Sequence, residues 1–311
     1  IYIIAPNLLQ GQKMYDDLSK LIGDDYVHYY PADEFIAADM AVTSPELRAA
    51  RIETLDHLLH DEKGIYIIPV AGMRKMMQPK SAWAAMRFEV KVGADLNVED
   101  TLERLVEMGY TRGEMVTSPG EFALRGGILD VYPPYMETPV RIELFDTEVD
   151  SLRTFSADDQ RSIDKLDALT ILPATEFVLT KAQRQRLAER LETALADSLA
   201  QVQSEDVKTL LYENVTADIE LLRAGELPEY TNRYGSLLYD NPASLGDYFA
   251  HDGLVIYDEL GRVQEVMEAW ENEEQEWFLS LIEAGKMVHA VKPSFTLKEM
   301  MANLKQQTLY F

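Results

Sequence analysis

The acidic pair Asp258-Glu259 ends the apolar run of GLVIYDE. In P-loop nucleotide hydrolases an aspartate at such a strand end orients Mg²⁺, and an acid beside it activates water. That chemistry needs a phosphate cradle, G-x-x-x-x-G-K-[ST], whose amides and lysine hold the phosphates. The chain contains no such loop. Three readings of the pair stay open: an exposed acidic turn, a relic of a nucleotide site, or a working half-site. Other catalytic chemistries find less. His28, His57, His60, His251 and His289 show no metal-ligand spacing. There is no cysteine, which excludes thiolate sites and disulfides and fits a reducing cytoplasm. The serines lack a nucleophile elbow. GEFALRGG is no dinucleotide fingerprint, because a strand and not a helix follows its glycines; it reads as strand, glycine kink or bulge, strand.

Arginine supplies the remaining chemistry. In PVRIELFD alternate side chains share a face, so Val140, Ile142 and Leu144 form an apolar face and Arg141, Glu143 and Phe145 the other. In EFALRGG, Phe122 and Leu124 point one way, and Glu121, Ala123 and Arg125 the other. Arg112 stands just before the first of these strands, and GILDVYPP carries a lone acid, Asp130, in an apolar run. Arginines beside an exposed phenylalanine have the makeup of a protein-binding hot spot. Surface ion pairing with Glu121 and Glu143 explains the same pattern equally well.

These residues need elements to position them. IYIIAP, YVHYYP and IYIIPV read as strands of a covered parallel sheet, separated by two helices, the second with Ser44 as N-cap and Pro45 at its first position. After SAWAAM the texture changes to one helix and short strands: RFEVKV, EMVTSPGEFAL, GILDVYPP, PVRIELFD, EVDSLRTFS and ALTILPA, with a turn at Pro119-Gly120. Two amphipathic helices follow, TKAQRQRLAERLETALADSLAQV and SEDVKTLLYENVTADIELLRAG, then a Tyr-rich passage, the strand GLVIYDE and an acidic helix from Gly261 to Gly285. That helix carries Glu265, Glu268, Glu271, Glu273, Glu274 and Glu276 as a solvated or partner-docking face, with Trp270, Trp277, Phe278 and Leu281 as its core side. A helix over FTLKEMMANLK and the tail QTLYF end the sequence. The expectation is three parts: an α/β domain over 1–85, an α+β antiparallel domain over 86–173, and a mostly helical part over 174–311 with a strand at 253–259. A sequence opening on a core strand is expected to be a piece of a longer protein. With 54 acidic against 29 basic residues, the net charge of -25 repels nucleic-acid backbones, and no apolar run is long enough to span a membrane.

GYTRGEMVTSPGEFALRGGILDVYPP followed by RIELFDTEVDSLRTF resembles the second domain of the UvrB-like modules shared by UvrB and Mfd-type transcription-repair coupling factors. PNLLQGQKMYDDL, YYPADEFIAADMAVTSPELRAARIETL and IYIIPVAGMRKMMQPKSAW are similar to the coupling-factor branch. The resemblance is strong over roughly 1–180 and weaker beyond. It implies a helicase-like domain 1a of degenerate P-loop NTPase type, an inserted domain 2 that binds UvrA, and a domain 1b packing back on 1a. The family's UvrA-binding positions fall on Arg125, Arg141 and Phe145, and Arg112 matches a further arginine of UvrB; where UvrB has another arginine this chain has Ala123. Between IYIIPVAG and RFEVKVG only MRKMMQPKSAWAAM stands in place of UvrB's aromatic hairpin, and Leu260-Gly261 replace the Ser-His that follows its acids. The resemblance thus implies a non-catalytic, cytoplasmic recruitment module for UvrA, without cofactor, metal or small-molecule substrate. RNA polymerase and DNA would be engaged by other parts of a longer ATP-driven translocase. The alternative is a UvrB-type ATPase or damage-binding fragment lacking its P-loop; a DNA-contacting domain is a third reading.

Overall fold

The computed structural model describes residues 1–32, 44–289 and 291–311; the stretch 33–43 of the resemblance's second motif lies outside the described residues. The chain runs through β1 (Tyr2–Ala5), α1 (Leu8–Ile22), β2 (Val27–Tyr29), α2 (Pro45–Leu59), β3 (Ile65–Pro69), α3 (Val70–Met73) and α4 (Lys80–Met86). Next come β4 (Phe88–Lys91), α5 (Val98–Glu107), β5 (Thr111–Arg112), β6 (Glu121–Arg125), β7 (Ile128–Val131), β8 (Val140–Phe145), β9 (Glu148–Phe155), β10 (Ser162–Leu166) and β11 (Ala168–Ile171). The last part holds α6 (Lys181–Gln201), α7 (Glu205–Ala224), β12 (Leu254–Tyr257), α8 (Leu260–Glu283), α9 (Leu297–Asn303) and β13 (Gln307–Tyr310). Contacts divide the chain into two compact units: 1–42, 61–79 and 179–311, and 43–60 with 80–178.

The first unit is built on a five-stranded parallel sheet in the order β13-β12-β1-β3-β2. Its inner strands are short apolar runs because side chains on both faces are covered: Ile4, Ile67, Ile68 and Val255 are fully buried. Tyr2 stacks on Phe249 at 3.9 Å between ring centres. Asn7 caps α1 by accepting from the Gln10 amide, and the helix stops at Gly23, whose φ of 95° is a conformation that side chains resist. The final part of the sequence is more than helical. It lends both β12 and the unassigned tail QTLYF, which is β13, to the parallel sheet. A four-residue strand of Gln, Thr, Leu and Tyr has no period of its own and takes its identity from the strand beside it.

The second unit holds a six-stranded sheet in the order β10-β9-β8-β7-β6-β5, antiparallel except for the β5–β6 pair, and a two-stranded sheet of β11 and β4. Phe122, Leu129, Val131, Val140, Ile142 and Leu152 alternate with polar residues and are buried, each worth roughly 1.5–3 kcal/mol of transfer free energy. EMVTSPGEFAL is not one strand. Residues 114–118 form a loop, and Gly120, at φ 87°, makes a turn that admits β6 only from Glu121. The exposed strand β10, SIDKL, carries no hydrophobic alternation and escaped the pattern reading. The unit also differs from the expected boundaries in claiming α2, which the sequence reading places with the first domain. Arg51, 1% exposed, donates from Nε to Glu176 at 2.8 Å, and Arg87 pairs with Asp56 at 3.2 Å. Ser44 holds the N-cap position of α2 with Pro45 following it, but its hydroxyl donates to the Glu46 carboxylate and makes no capping hydrogen bond to the helix amides.

Candidate functional site

Two places in the structure gather the residues that the sequence marks for chemistry. At the end of β12, Glu259 adopts a left-handed backbone and accepts from Gln10 of α1 at 3.3 Å and from Arg262 at 3.3 Å. Burial, then the neighbouring Glu259 charge, pushes the Asp258 carboxyl up from its ordinary value. The adjacent β1 runs through Pro6 and Asn7 straight into α1, and the Asn7 side chain is occupied in capping that helix. Among the described residues no group of three or more His, Cys, Asp or Glu could hold a metal ion. Of the acidic residues on α8, Glu265, Glu268, Glu273 and Glu276 are exposed, but Glu274 is not: it turns inward to Arg74 at 2.7 Å. A solvated face therefore describes most of that helix and fails at Glu274, because its turn of the helix faces a buried guanidinium.

The second place is one face of the antiparallel sheet. Register aligns Ala123, Asp130, Arg141 and Arg153 in a row across β6, β7, β8 and β9. The next row holds Arg125, Ile128, Glu143 and Ser151. Both rows share a face, as two-residue alternation requires, and the lone acid of GILDVYPP is its centre. Asp130 is 0% exposed. Its Oδ1 accepts from Arg141 Nε at 2.7 Å, and its Oδ2 from Arg141 Nη2 at 2.8 Å and Arg125 Nη2 at 2.7 Å. Arg141 also donates to Gln160 at 3.0 Å and lies 4.4 Å from the centre of the Phe155 ring. Its hydrogen bonds to Asp130 raise its already high pKa.

The face is not uniformly outward, as the sequence pattern suggests. Ala123 is buried with Val116 and Phe155 in a small apolar cluster that Tyr132 flanks. Position 123 is thus packing in this chain. Arg141 is only 14% exposed, whereas Arg125 is 44% exposed and Phe145 79%. Leu144 is half-buried, not core. The expected pairing of these arginines with Glu121 and Glu143 is replaced. Glu143 takes Arg153 and Ser151. Glu121 turns to the amides of Thr117 and Ser118 at 2.8 and 2.9 Å, which outweigh burial and hold its carboxyl below the usual range. Arg112 is exposed but stands on the short strand β5 in the row of Phe122, Val131 and Val140, so the register separates it from Arg125, Arg141 and Phe145. Gln160 and Phe155, which complete the setting of Arg141, come from the end of β9 and the loop after it and had no signal in the sequence. Asp130 had one, as an acid among apolar neighbours.

Residues 88–177 match the model of the UvrB interaction domain. The matched span starts at the first residue of β4 and contains the whole six-stranded sheet with Asp130, Arg125, Arg141 and Phe145. This chain is a UvrB-like module. It is 42% identical to the transcription-repair-coupling factor of Bacillus subtilis (strain 168) over 311 residues, 100% of this chain and 26% of the relative. It is 35% identical to the factor of Staphylococcus haemolyticus over 291 residues, and 33% identical to that of Staphylococcus aureus (strain MRSA252) over 293. Those matches cover 91% and 92% of this chain and 24% of each relative. The UvrB-like module thus spans about a quarter of the length of these relatives, and its likeness is to their N-terminal region. Helix α2 lies outside the matched residues yet belongs to the same compact unit. No helix among the described residues is long and apolar enough to cross a membrane.

Proposed function

We propose that this UvrB-like module is a non-catalytic recruitment element for transcription-coupled DNA repair in the cytoplasm, and that the Asp130 face of its interaction domain docks UvrA. The supporting observation is the contrast on that face: a half-exposed Arg125 anchored on a buried carboxylate, with the nearly bare ring of Phe145 on the same side of the sheet. A guanidinium with donors left for a carboxylate and an aromatic ring with no intramolecular cover are the residue types that dominate interface energetics. Arg125 would meet an acidic patch on UvrA, Phe145 would fill an apolar recess, and Arg141 would act mainly by fixing the face. Arg112, on the edge strand, would add a peripheral ion pair. ATP-driven movement on DNA and contact with RNA polymerase would belong to the other three quarters of a coupling factor. In this reading Asp258-Glu259 would take no part in nucleotide chemistry, since the strand beside them enters its helix through only two residues.

Calorimetry of the full chain with purified UvrA tests this reading. Saturable binding is expected, weakened at least thirtyfold by Arg125→Ala or Phe145→Ala, about 2 kcal/mol each, and only slightly by Arg112→Ala. Both strong variants should melt within a few degrees of the parent. Absence of UvrA binding would overturn the reading, and ATP binding that Asp258→Ala abolishes would replace it with a UvrB-type ATPase fragment.

A further inference from the structure

We propose that Asp130 is the positioning residue of the docking face, holding Arg125 in its binding orientation before the partner arrives. The inference rests on the UvrA reading and adds to it a residue that makes no contact with the partner.

A buried carboxylate is costly unless its lone pairs are taken by charged donors. Arg141 supplies two of the three hydrogen bonds that compensate it, through a two-point contact at 2.7 and 2.8 Å. Gln160 and the Phe155 ring then lock Arg141 in place. Asp130 and Arg141 together are neutral, so the third member, Arg125, carries the surplus positive charge of the trio. It is also the only one of the three with substantial exposure. The hydrogen bond to Asp130 is the one side-chain hydrogen bond of Arg125 among the described residues.

The hairpin makes this geometry possible. Arg125 faces Ile128 across the β6–β7 turn, and Asp130 lies two residues further along β7 on the same face, diagonally across from Arg125. The turn needs its two glycines. Gly126 sits at φ 61°, and a Cβ on Gly127 would come 2.9 Å from the Leu144 carbonyl. One guanidinium nitrogen is therefore tethered on a side chain that stays 44% exposed. A free arginine would have to be ordered on binding, at a cost in side-chain entropy; here the fold has already restricted it.

The test is a double-mutant cycle in the full chain, with UvrA affinity and melting temperature read for each protein. Asp130→Asn keeps the shape and removes the charge. It is expected to weaken UvrA binding about tenfold in the parent and less than twofold in the Arg125→Ala background, because the residue acts through Arg125. An equal loss in both backgrounds would show a merely structural role and overturn the inference. So would parent-like binding by Asp130→Asn while Arg125→Ala is weak, an outcome that leaves the UvrA reading standing. If Arg125→Ala binds like the parent, the UvrA reading itself falls. A second measurement needs no variant and survives poor folding of Asp130→Asn. In ¹⁵N spectra of the parent chain the Arg125 guanidinium should show separate, slowly exchanging Nη signals. A single averaged signal, as for a freely rotating side chain, would overturn the inference.

Discussion

Each unit of the molecule buries arginine–carboxylate pairs, and two of them, one from each unit, serve opposite ends. In the parallel-sheet unit Arg74 and Glu274 meet at 2.7 Å with side chains 5% and 11% exposed, and Ser294 donates to the same Glu274 oxygen at 2.9 Å. Burial outweighs Arg74 there and pushes the Glu274 carboxyl above its usual range. In the antiparallel unit Asp130 is completely enclosed, but it binds a second arginine that reaches the surface. The first pair joins the acidic helix α8 to the segment after α3. The second is open at one end and shows a cation to solvent. A buried ion pair is weak evidence of stability, since its desolvation offsets much of its attraction. What separates a staple from a display is whether a further charge is left pointing outward.

Three substitutions test that contrast, in order of expected effect. Arg74→Ala strands Glu274 in a site with one neutral donor and should destabilise the parallel-sheet unit by about 3–5 kcal/mol, with UvrA affinity unchanged. Hydrogen exchange followed separately in the two sheets measures it, and equal loosening of both sheets would contradict a local staple. Arg141→Ala leaves Asp130 with Arg125 alone. It should cost the antiparallel unit about 2–3 kcal/mol and lower UvrA affinity as well, whereas Arg125→Ala should change stability by only about 0.5 kcal/mol. If Arg141→Ala melts like Arg125→Ala, the two arginines are equivalent and the proposed division of labour is wrong.

The smallest effect is a pH dependence. Because the folded state raises the Glu274 pKa, it binds more protons than the unfolded chain in the interval just above the ordinary glutamate value. The contribution is favourable below that interval and is lost as pH rises through it. Glu274→Gln should flatten this part of the stability profile without altering UvrA binding. A parent profile that rises with pH across the same interval in step with the variant would remove Glu274 from the account.

Local pattern carried much of this molecule, and particular residues show where it stopped. Three strands of the parallel sheet were legible because IYIIAP, YVHYYP and IYIIPV are short apolar runs separated by helix signals, whereas GLVIYDE was legible as a strand but not as a member of that sheet. Alternation in VRIELF separated Arg141 and Glu143 from Val140 and Ile142, as the register does up to Glu143, before it shifts at Leu144. Helix α2 reads as an ordinary crossover between β2 and β3, yet the pairs Arg51–Glu176 and Asp56–Arg87 bind it to the other unit. Ala123 has the parity of a surface residue but lies under Val116 and Phe155, which return over that side of the sheet. Alternation distinguishes two faces; it does not say what later segments cover them.

The sequence by itself determined most of the elements, the lone acid in GILDVYPP and the residue types of the proposed docking face, because these depend on neighbours one to four positions apart. Only the tertiary structure decided which cation each buried acid meets. Asp130 binds Arg125 five positions away and Arg141 eleven positions away, and Glu274 binds Arg74 across 200 positions. A charge withdrawn from water takes whatever opposite charge the fold brings within about 3 Å, and no local period encodes that meeting. The exposure of Arg125 beside the confinement of Arg141 follows from the same cause. One arginine stands at the open end of a two-glycine hairpin, and the other lies under Gln160 and against Phe155.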